Sequence, residues 1–115
     1  MMLAEQLQME TRNLCLAEKA LLGSFLKENH LLHDTIILPE HFAEGRHRLL
    51  MQLMKKIHSL SRAVDAITLA LDCDPEHYGG LSYVQELLSY ANPVRFEDYE
   101  EIVLEQWRNG RNETF

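Results

Sequence analysis

The sequence predicts an all-α protein: a small helical globule of about four helices followed by a C-terminal antiparallel helical hairpin. Apolar residues recur at intervals of three and four through most of the 115 residues, which is the period of an amphipathic helix. The one β-branched cluster, Thr35-Ile36-Ile37, is too short to indicate a sheet. Proline and paired glycine separate the periodic segments, because neither continues a helix easily.

Residues 14–78 are predicted to form the globule, beginning with its most buried helix. Glycine in a helix costs about 1 kcal/mol relative to alanine, so Gly23 indicates close packing against another helix. The apolar stripe around it consists of Leu14, Ala17, Leu21, Leu22, Phe25 and Leu26. A second, short helix is expected over residues 29–38, ending before Pro39, and Phe42 is expected to fill the core.

A third, longer helix is expected from about Glu44 or Gly45 to Ser59. Its buried stripe consists of Leu49, Leu50, Leu53, Met54 and Ile57. Its exposed flanks are mostly basic and form a candidate contact face made of Arg46, Arg48, Lys55 and Lys56. Asp65 has the position of an N-cap for a fourth, short helix that carries Ile67, Leu69, Ala70 and Leu71.

Residues 79–107 have the pattern of two helices joined by a very short turn. Gly79-Gly80 precedes the first helix, and Asn92-Pro93 ends it near Ala91 because proline disfavours helical geometry in the residue before it. Asn92 can cap the second helix, with Pro93 in its first turn. So short a connection forces the helices to lie antiparallel. Their apolar surface exceeds what they can bury against each other, so they need the rest of the domain, a second copy, or both.

The two ends of the chain are predicted to lie outside these units. Residues 1–13 are interpreted as an N-terminal arm, either a frayed helix or a mobile segment. Residues 108–115 are interpreted as a polar, fraying tail that contains Gly110. No apolar run approaches the length of a membrane span, and the acidic N-terminus lacks the basic region of a secretory signal. We therefore expect a cytoplasmic protein.

Composition and motifs exclude most catalytic chemistry. The net charge of −7 disfavours a dedicated nucleic-acid binder. No glycine-rich, lysine-containing phosphate loop is present, so we expect no ATP hydrolysis by this chain and no bound cofactor. The six histidines and the two cysteines lack metal-ligand spacing, which leaves solvent-facing or capping roles for the histidines. Four acids, Glu97, Asp98, Glu100 and Glu101, are best explained as a solvated helix face. These patterns alone indicate a helical interaction module.

Six segments in order make the sequence resemble a known family. They are Ala17-Glu18-x-x-Leu21-Leu22-Gly23, Pro39-Glu40-x-Phe42, His47-Arg48-Leu49-Leu50, Val64-Asp65-x-x-Thr68-Leu69-Ala70, Gly79-Gly80-Leu81-x-Tyr83-Val84-x-Glu86-Leu87 and Tyr99-x-x-Ile102-Val103. Their order and spacing resemble the N-terminal domain of DnaB-type replicative DNA helicases. The resemblance covers about residues 14–107, and the Gly-Gly-Leu-x-Tyr segment is its most specific part.

The resemblance implies a non-catalytic domain of a hexameric helicase. In that family the hairpins pair between subunits, three dimers form a collar, and primase or a helicase loader binds there. ATP, Mg²⁺, most DNA contacts and the 5′–3′ helicase activity belong to a separate C-terminal motor. The hairpin residues expected to contact a neighbouring copy are Leu81, Val84, Leu88, Phe96, Tyr99, Ile102, Val103 and Trp107.

Two departures from the family pattern leave alternatives open. The turn after Ala91 is shorter than usual, and the sequence after Trp107 is polar where the family continues into an apolar linker helix. The chain is therefore either a fragment of a helicase or a short relative. In the second case it would be a stand-alone adaptor or inhibitor that binds a host helicase or primase. A helical DNA-binding module that uses the basic face is the third possibility.

Overall fold

Residues 16–113 are described in the computed structural model, with side chains described through residue 110. Six α-helices follow one another in this range, and it contains no strand, so the all-α prediction is confirmed. The helices are α1 (residues 16–27), α2 (Leu31–Asp34), α3 (Gly45–Ser59), α4 (Ala66–Asp72), α5 (Leu81–Ser89) and α6 (Phe96–Glu113). Three 3-10 turns, Pro39–His41, Pro75–Tyr78 and Pro93–Arg95, connect them. The predicted arm, residues 1–13, and Leu14 lie outside the described residues.

Helix α1 lies at the centre of the core. Leu21, Leu22 and Phe25 have no exposed surface, and the Phe25 ring meets the ring of Phe96 from α6 edge to face, with centroids 5.5 Å apart. On the α5 side, a Cβ built on Gly23 would lie 2.0 Å from the carbonyl oxygen of Leu87. The expected close helix packing at Gly23 is therefore confirmed. Helices α5 and α6 both pack on α1.

Polar side chains fix the connections to this helix. The Asn29 amide donates to the carbonyl of Val64 (3.0 Å) and accepts from its N–H (2.8 Å), which holds the segment between α3 and α4. The Ser24 hydroxyl accepts from the N–H of Asn92 (3.0 Å), which holds the connection between α5 and α6. Asp65 caps α4 as predicted, with its carboxylate accepting from the Thr68 N–H at 2.9 Å.

The segment that enters α5 requires both glycines. Gly79 and Gly80 have φ values of +104° and +86°, which residues with a Cβ rarely adopt. A Cβ on Gly79 would also lie 3.0 Å from the ring of Tyr83. The glycine pair of the family-like segment thus allows the chain to turn tightly against the tyrosine of the same segment.

Three predicted details are corrected by the structure. Helix α2 is shorter than residues 29–38, because Thr35 is extended and its hydroxyl accepts from the Ile37 N–H (3.1 Å), a local bond that competes with the helix. The second hairpin helix begins at Phe96, after a 3-10 turn, and Asn92 makes no side-chain cap. It then continues to Glu113, so the helix includes most of the predicted fraying tail, and Gly110 does not end it.

Helices α5 and α6 both contact the rest of the domain, which is one of the possibilities that the sequence left open for burying their apolar surface. Helix α5 packs on α4, and α6 packs on the turn Pro39–His41. As a result, much of the apolar surplus predicted for the hairpin is buried by the globule itself. No described helix is both long and apolar enough to span a bilayer.

Candidate interaction surfaces

The eight hairpin residues predicted to contact a second copy divide into buried and exposed groups. Val84 and Val103 have no exposed surface and pack inside this chain's own core. For these two the prediction is wrong, because neither can reach a neighbour. Leu81, Leu88 and Ile102 are 51%, 41% and 39% exposed. Each of these three residues keeps more than a third of its surface available to a partner.

The aromatic members of the set are half-buried against the same chain. Phe96 and Tyr99 pack against the core cluster. Trp107 meets the ring of His41 edge to face, with centroids 4.6 Å apart. His41 in turn accepts a hydrogen bond at Nδ1 from the Leu38 N–H (2.9 Å). Trp107 therefore fixes α6 to the turn Pro39–His41.

This contact predicts a pH-dependent fluorescence signal. Burial lowers the pKa of His41 below its ordinary value, as do Lys55 and Arg108, whereas Glu40 opposes the shift. A lowered folded-state pKa means that the stability supplied by neutral His41 is present above the unfolded value of 6.5 and is lost as the pH falls through the folded-state pKa. Protonation also removes the Nδ1 acceptor. Emission from Trp107, the single tryptophan, should change with a midpoint below 6.5.

The control for this titration is His41→Asn, whose carbonyl can still accept the Leu38 N–H and does not titrate. In that variant the emission should stay constant across the same pH range. A midpoint that persists in His41→Asn would assign the signal to another group and contradict the prediction.

An open apolar groove lies between α1 and α6, and it is called the α1–α6 groove below. Its lining residues are Leu16, Ala17, Ala20, Tyr90, Tyr99 and Ile102. None of them is charged, and the two alanines leave the backbone of α1 close to the surface. Leu16, Tyr90 and Ile102 are each more than a third exposed. The groove thus combines a shallow floor with apolar walls, a shape that admits the face of another helix.

Helices α4 and α5, which contact each other, carry a second set of exposed apolar side chains. Four aliphatic side chains, which define the α4–α5 surface, are exposed there: Ile67 (71%), Leu71 (83%), Leu81 and Leu88. On α5, Glu86 pairs with Lys19 of α1 at 2.7 Å, and Leu88 lies about 200° around the helix from Glu86 and from Tyr90. Leu81 and Leu88 therefore face away from the groove. The two surfaces are separate.

The acids of α6 are mostly solvated, with one exception. Glu97, Asp98 and Glu101 are exposed, as predicted for a solvated face. Glu100 is only 8% exposed, and its carboxylate accepts a 2.6 Å hydrogen bond from the Thr35 hydroxyl. It therefore connects α6 to the segment after α2 and is not part of the solvated face.

Three of the four basic residues of the predicted contact face bind other groups of this chain, and the fourth is half-buried. Arg46 pairs with Glu44 (2.9 Å) and lies over the ring of Tyr83, 3.8 Å from its centroid. The other basic side chains have related roles: Arg48 donates to the carbonyls of Phe42 and Ala43, Lys56 pairs with Asp72, and Lys55 is half-buried. These contacts indicate that the basic side chains stabilise the fold, and they argue against a surface that binds nucleic acid.

A buried polar network was missed by the sequence interpretation. His47 has no exposed surface: its Nδ1 lies 2.6 Å from Glu18 Oε1 and its Nε2 lies 2.5 Å from the Tyr83 hydroxyl. Glu18 is also fully buried, and its other oxygen accepts from the Ala43 N–H (2.8 Å). His47 is thus neither solvent-facing nor a cap. Three segments of the family-like series meet at this network, which joins α1, α3 and α5.

The described part of the chain offers no metal centre. Within it, no three side chains of histidine, cysteine, aspartate or glutamate converge as a metal site requires. Neither Glu18 nor His47 has any exposed surface. The α1–α6 groove and the α4–α5 surface are therefore the candidate interaction sites among the described residues.

Comparisons with known proteins agree on one family. The family model for the DnaB-like helicase N-terminal domain matches residues 10–105. A solved structure of a DnaB-like replicative helicase, described together with its interactions with primase, is similar to this chain with 26% sequence identity and a TM-score of 0.79. The match covers 86% of this chain and 25% of that one, so this chain spans about a quarter of the helicase. A search of curated protein sequences gives no significant match.

The family-model match extends over most of the chain, and the buried network and the paired glycines account physically for the segments that carry the likeness. The chain belongs to the DnaB-like helicase N-terminal domain family.

Proposed function

We propose that this chain is the non-catalytic N-terminal domain of a replicative DNA helicase, acting in subunit assembly and in the recruitment of primase or a loader. The observation that carries the proposal is the exposed α4–α5 surface, because a domain with its own complete core leaves four large aliphatic side chains there in solvent. The similar solved helicase is described with its interactions with primase. ATP, Mg²⁺ and DNA translocation would belong to a motor outside this domain.

We assign self-association to the α4–α5 surface because the exposed side chains beside its two leucines on α5 are uncharged. The exposed neighbours of Leu81 and Leu88 on α5 are Ser82, Gln85 and Ser89, and none is charged. A two-fold pairing places the same patch of two copies face to face. The α5 part of this patch is uncharged, and on α4 the Asp72 carboxylate beside Leu71 is paired with Lys56 at 3.2 Å, so the patch can pair in this way with little repulsion between like charges. The surface therefore suits a second copy of the chain.

The double variant Leu81→Ser/Leu88→Ser tests this assignment. Burying the exposed half of a leucine contributes about 1 kcal/mol, and a two-fold interface would contain four such side chains. The variant should therefore weaken self-association by roughly a hundredfold or more. Light scattering coupled to gel filtration, over a range of loading concentrations, measures this change.

A matched control is Ile36→Ser, which removes an aliphatic side chain that is 63% exposed outside both surfaces. This variant should associate like the unmodified chain. If Leu81→Ser/Leu88→Ser remained folded by circular dichroism and associated normally, the α4–α5 surface would not be the interface.

A further inference from the structure

We infer that the α1–α6 groove binds a cationic amphipathic helix of a partner protein. The inference deepens the proposed function, since it assigns the recruiting site and the chemistry of what is recruited. It rests on three features of the groove: its shape, its uncharged lining and the charge of the helix that forms one wall.

The shape fits a single helix of moderate length. The described part of α1 has 12 residues, which corresponds to about 18 Å, or three helical turns. Along this length, Ala17 and Ala20 form the floor while Tyr90, Tyr99 and Ile102 form the walls. An amphipathic helix docks in such a groove with anchors at i, i+3 or i+4, and i+7. Three turns accommodate one such set of anchors.

The α6 wall is acidic on its outer side. Asp98, Ile102 and Glu105 are spaced by four and three residues, so they share one side of the helix, and Glu101 is beside them. All four are exposed. On α6, positive charge lies only at the ends of this stretch, with Arg95 before α6 and Arg108 beyond Glu105. On the α1 side, the ammonium of Lys19 lies 5.5 Å from the centroid of the Tyr90 ring, and its charge is neutralised by Glu86 at 2.7 Å. A bound helix would therefore place its polar flank against carboxylates.

The acidic side of α6 favours some of the molecules that could occupy the groove over others. A second copy that presented α6 to α6 would bring acids against acids, which is unfavourable. The chain's own residues 1–15 carry Glu5 and Glu10 against Arg12, so their charge is also mismatched. A helix with lysine or arginine beside its apolar stripe matches both the lining and the rim. The α4–α5 surface has no such acidic rim along α5 and remains assigned to self-association.

Two synthetic peptides test the inference directly. Each has about 16 residues, enough to span the groove as a helix, and the same leucine stripe; one carries lysine on its flanks and the other glutamate. Fluorescence anisotropy with the full chain should show at least tenfold tighter binding of the lysine peptide, and that affinity should fall as salt rises. Equal binding of the two peptides, or binding insensitive to salt, would overturn the inference.

Variants then locate the site. Ile102→Ser should reduce the affinity for the lysine peptide about tenfold or more, because it removes an apolar wall. The exposed double change Asp98→Asn/Glu105→Gln leaves the packing intact and should reduce affinity about two- to fivefold for each carboxylate. Ile36→Ser, which lies outside both surfaces, should have no effect. An unchanged affinity in the double variant, or a loss in Ile36→Ser equal to that in Ile102→Ser, would place the peptide elsewhere.

The same anisotropy assay tests whether the chain's own residues 1–15 occupy the groove instead of a partner helix. If residues 1–15 filled the groove, Leu3→Ser/Leu7→Ser would raise the affinity for both peptides alike, and the inference would fail. The result of the peptide-binding assay does not depend on whether the chain self-associates. A chain that remained monomeric but bound the lysine peptide would refute the assembly role alone, whereas a chain that dimerised but bound neither peptide would refute only the groove assignment.

Discussion

Replacing Gly23 with alanine should destabilise the domain by about 3 kcal/mol, near the upper end of the usual range for overpacked cores. The added Cβ would lie 2.0 Å from the carbonyl oxygen of Leu87 and 2.8 Å from its carbonyl carbon. Both are backbone atoms, so no side chain can rotate away, and α1 and α5 must separate. Thermal unfolding followed by circular dichroism should show a midpoint lowered by roughly 12–24 °C.

Gly45→Ala is the matched control for this change. Gly45 begins α3, and a Cβ there would approach only the guanidinium of Arg48 at 3.5 Å, an ordinary contact. Because alanine favours helix, this variant should be as stable as the unmodified chain or slightly more stable. Similar stability losses in the two variants would mean that α1 and α5 are less closely packed than the structure shows.

Replacing His47 with leucine should have the second-largest effect, a loss of about 3 kcal/mol. Leucine fills a similar volume but offers no nitrogen to the buried Glu18 carboxyl or to the Tyr83 hydroxyl. Each buried polar group that loses its partner costs about 1–3 kcal/mol, and more if it is charged. Urea unfolding of the variant, compared with the unmodified chain, measures the loss.

A double-mutant cycle isolates the pair from the general effect of a core substitution. Glu18→Gln/His47→Leu should lose less stability than the sum of the two single variants, with a coupling of at least about 0.5 kcal/mol, because residues that share a hydrogen bond are not independent. Additive losses would show that the contact between Glu18 and His47 does not contribute to stability.

Helix content and several local features follow from the sequence because they depend on nearby residues. The capping aspartate of α4 and the turn at the glycine pair arise from local conformational preferences. The packing role of Gly23 could be inferred because glycine inside a helix is unfavourable unless a close contact compensates for it. Boundaries were less predictable. Helix α2 ends early because the Thr35 side chain bonds locally, and α6 starts late because the chain first makes a 3-10 turn at Pro93.

The helical positions of Glu18 and His47 could have indicated that both are buried, although the residues that they contact could not have been identified from the sequence. Glu18 precedes Leu21, Leu22 and Phe25 by three, four and seven residues, so it lies on the buried stripe of α1. His47 precedes Leu50 and Met54 by three and seven residues on α3. A polar residue in a buried register indicates an internal partner. Which residue meets it depends on how the helices pack, and a single sequence does not specify that.

The exposed surfaces were predicted only in part for the same reason. The apolar period in α5 and α6 identified the stripe, but tertiary packing decided that Val84 and Val103 serve the core while Leu81 and Ile102 stay exposed. Helix α4 has apolar residues on most of its circumference, so its exposed Ile67 could not be distinguished from its buried Leu69 by pattern. The α1–α6 groove joins residues more than 70 positions apart in sequence.

Sedimentation velocity of the isolated chain, from low to high micromolar concentration, tests the assembly role most directly. We expect a sedimentation coefficient that rises with concentration toward that of a dimer, and we expect Leu81→Ser/Leu88→Ser to abolish the rise while leaving the helix content unchanged. A single monomeric species at every concentration would contradict the claim that this domain pairs subunits.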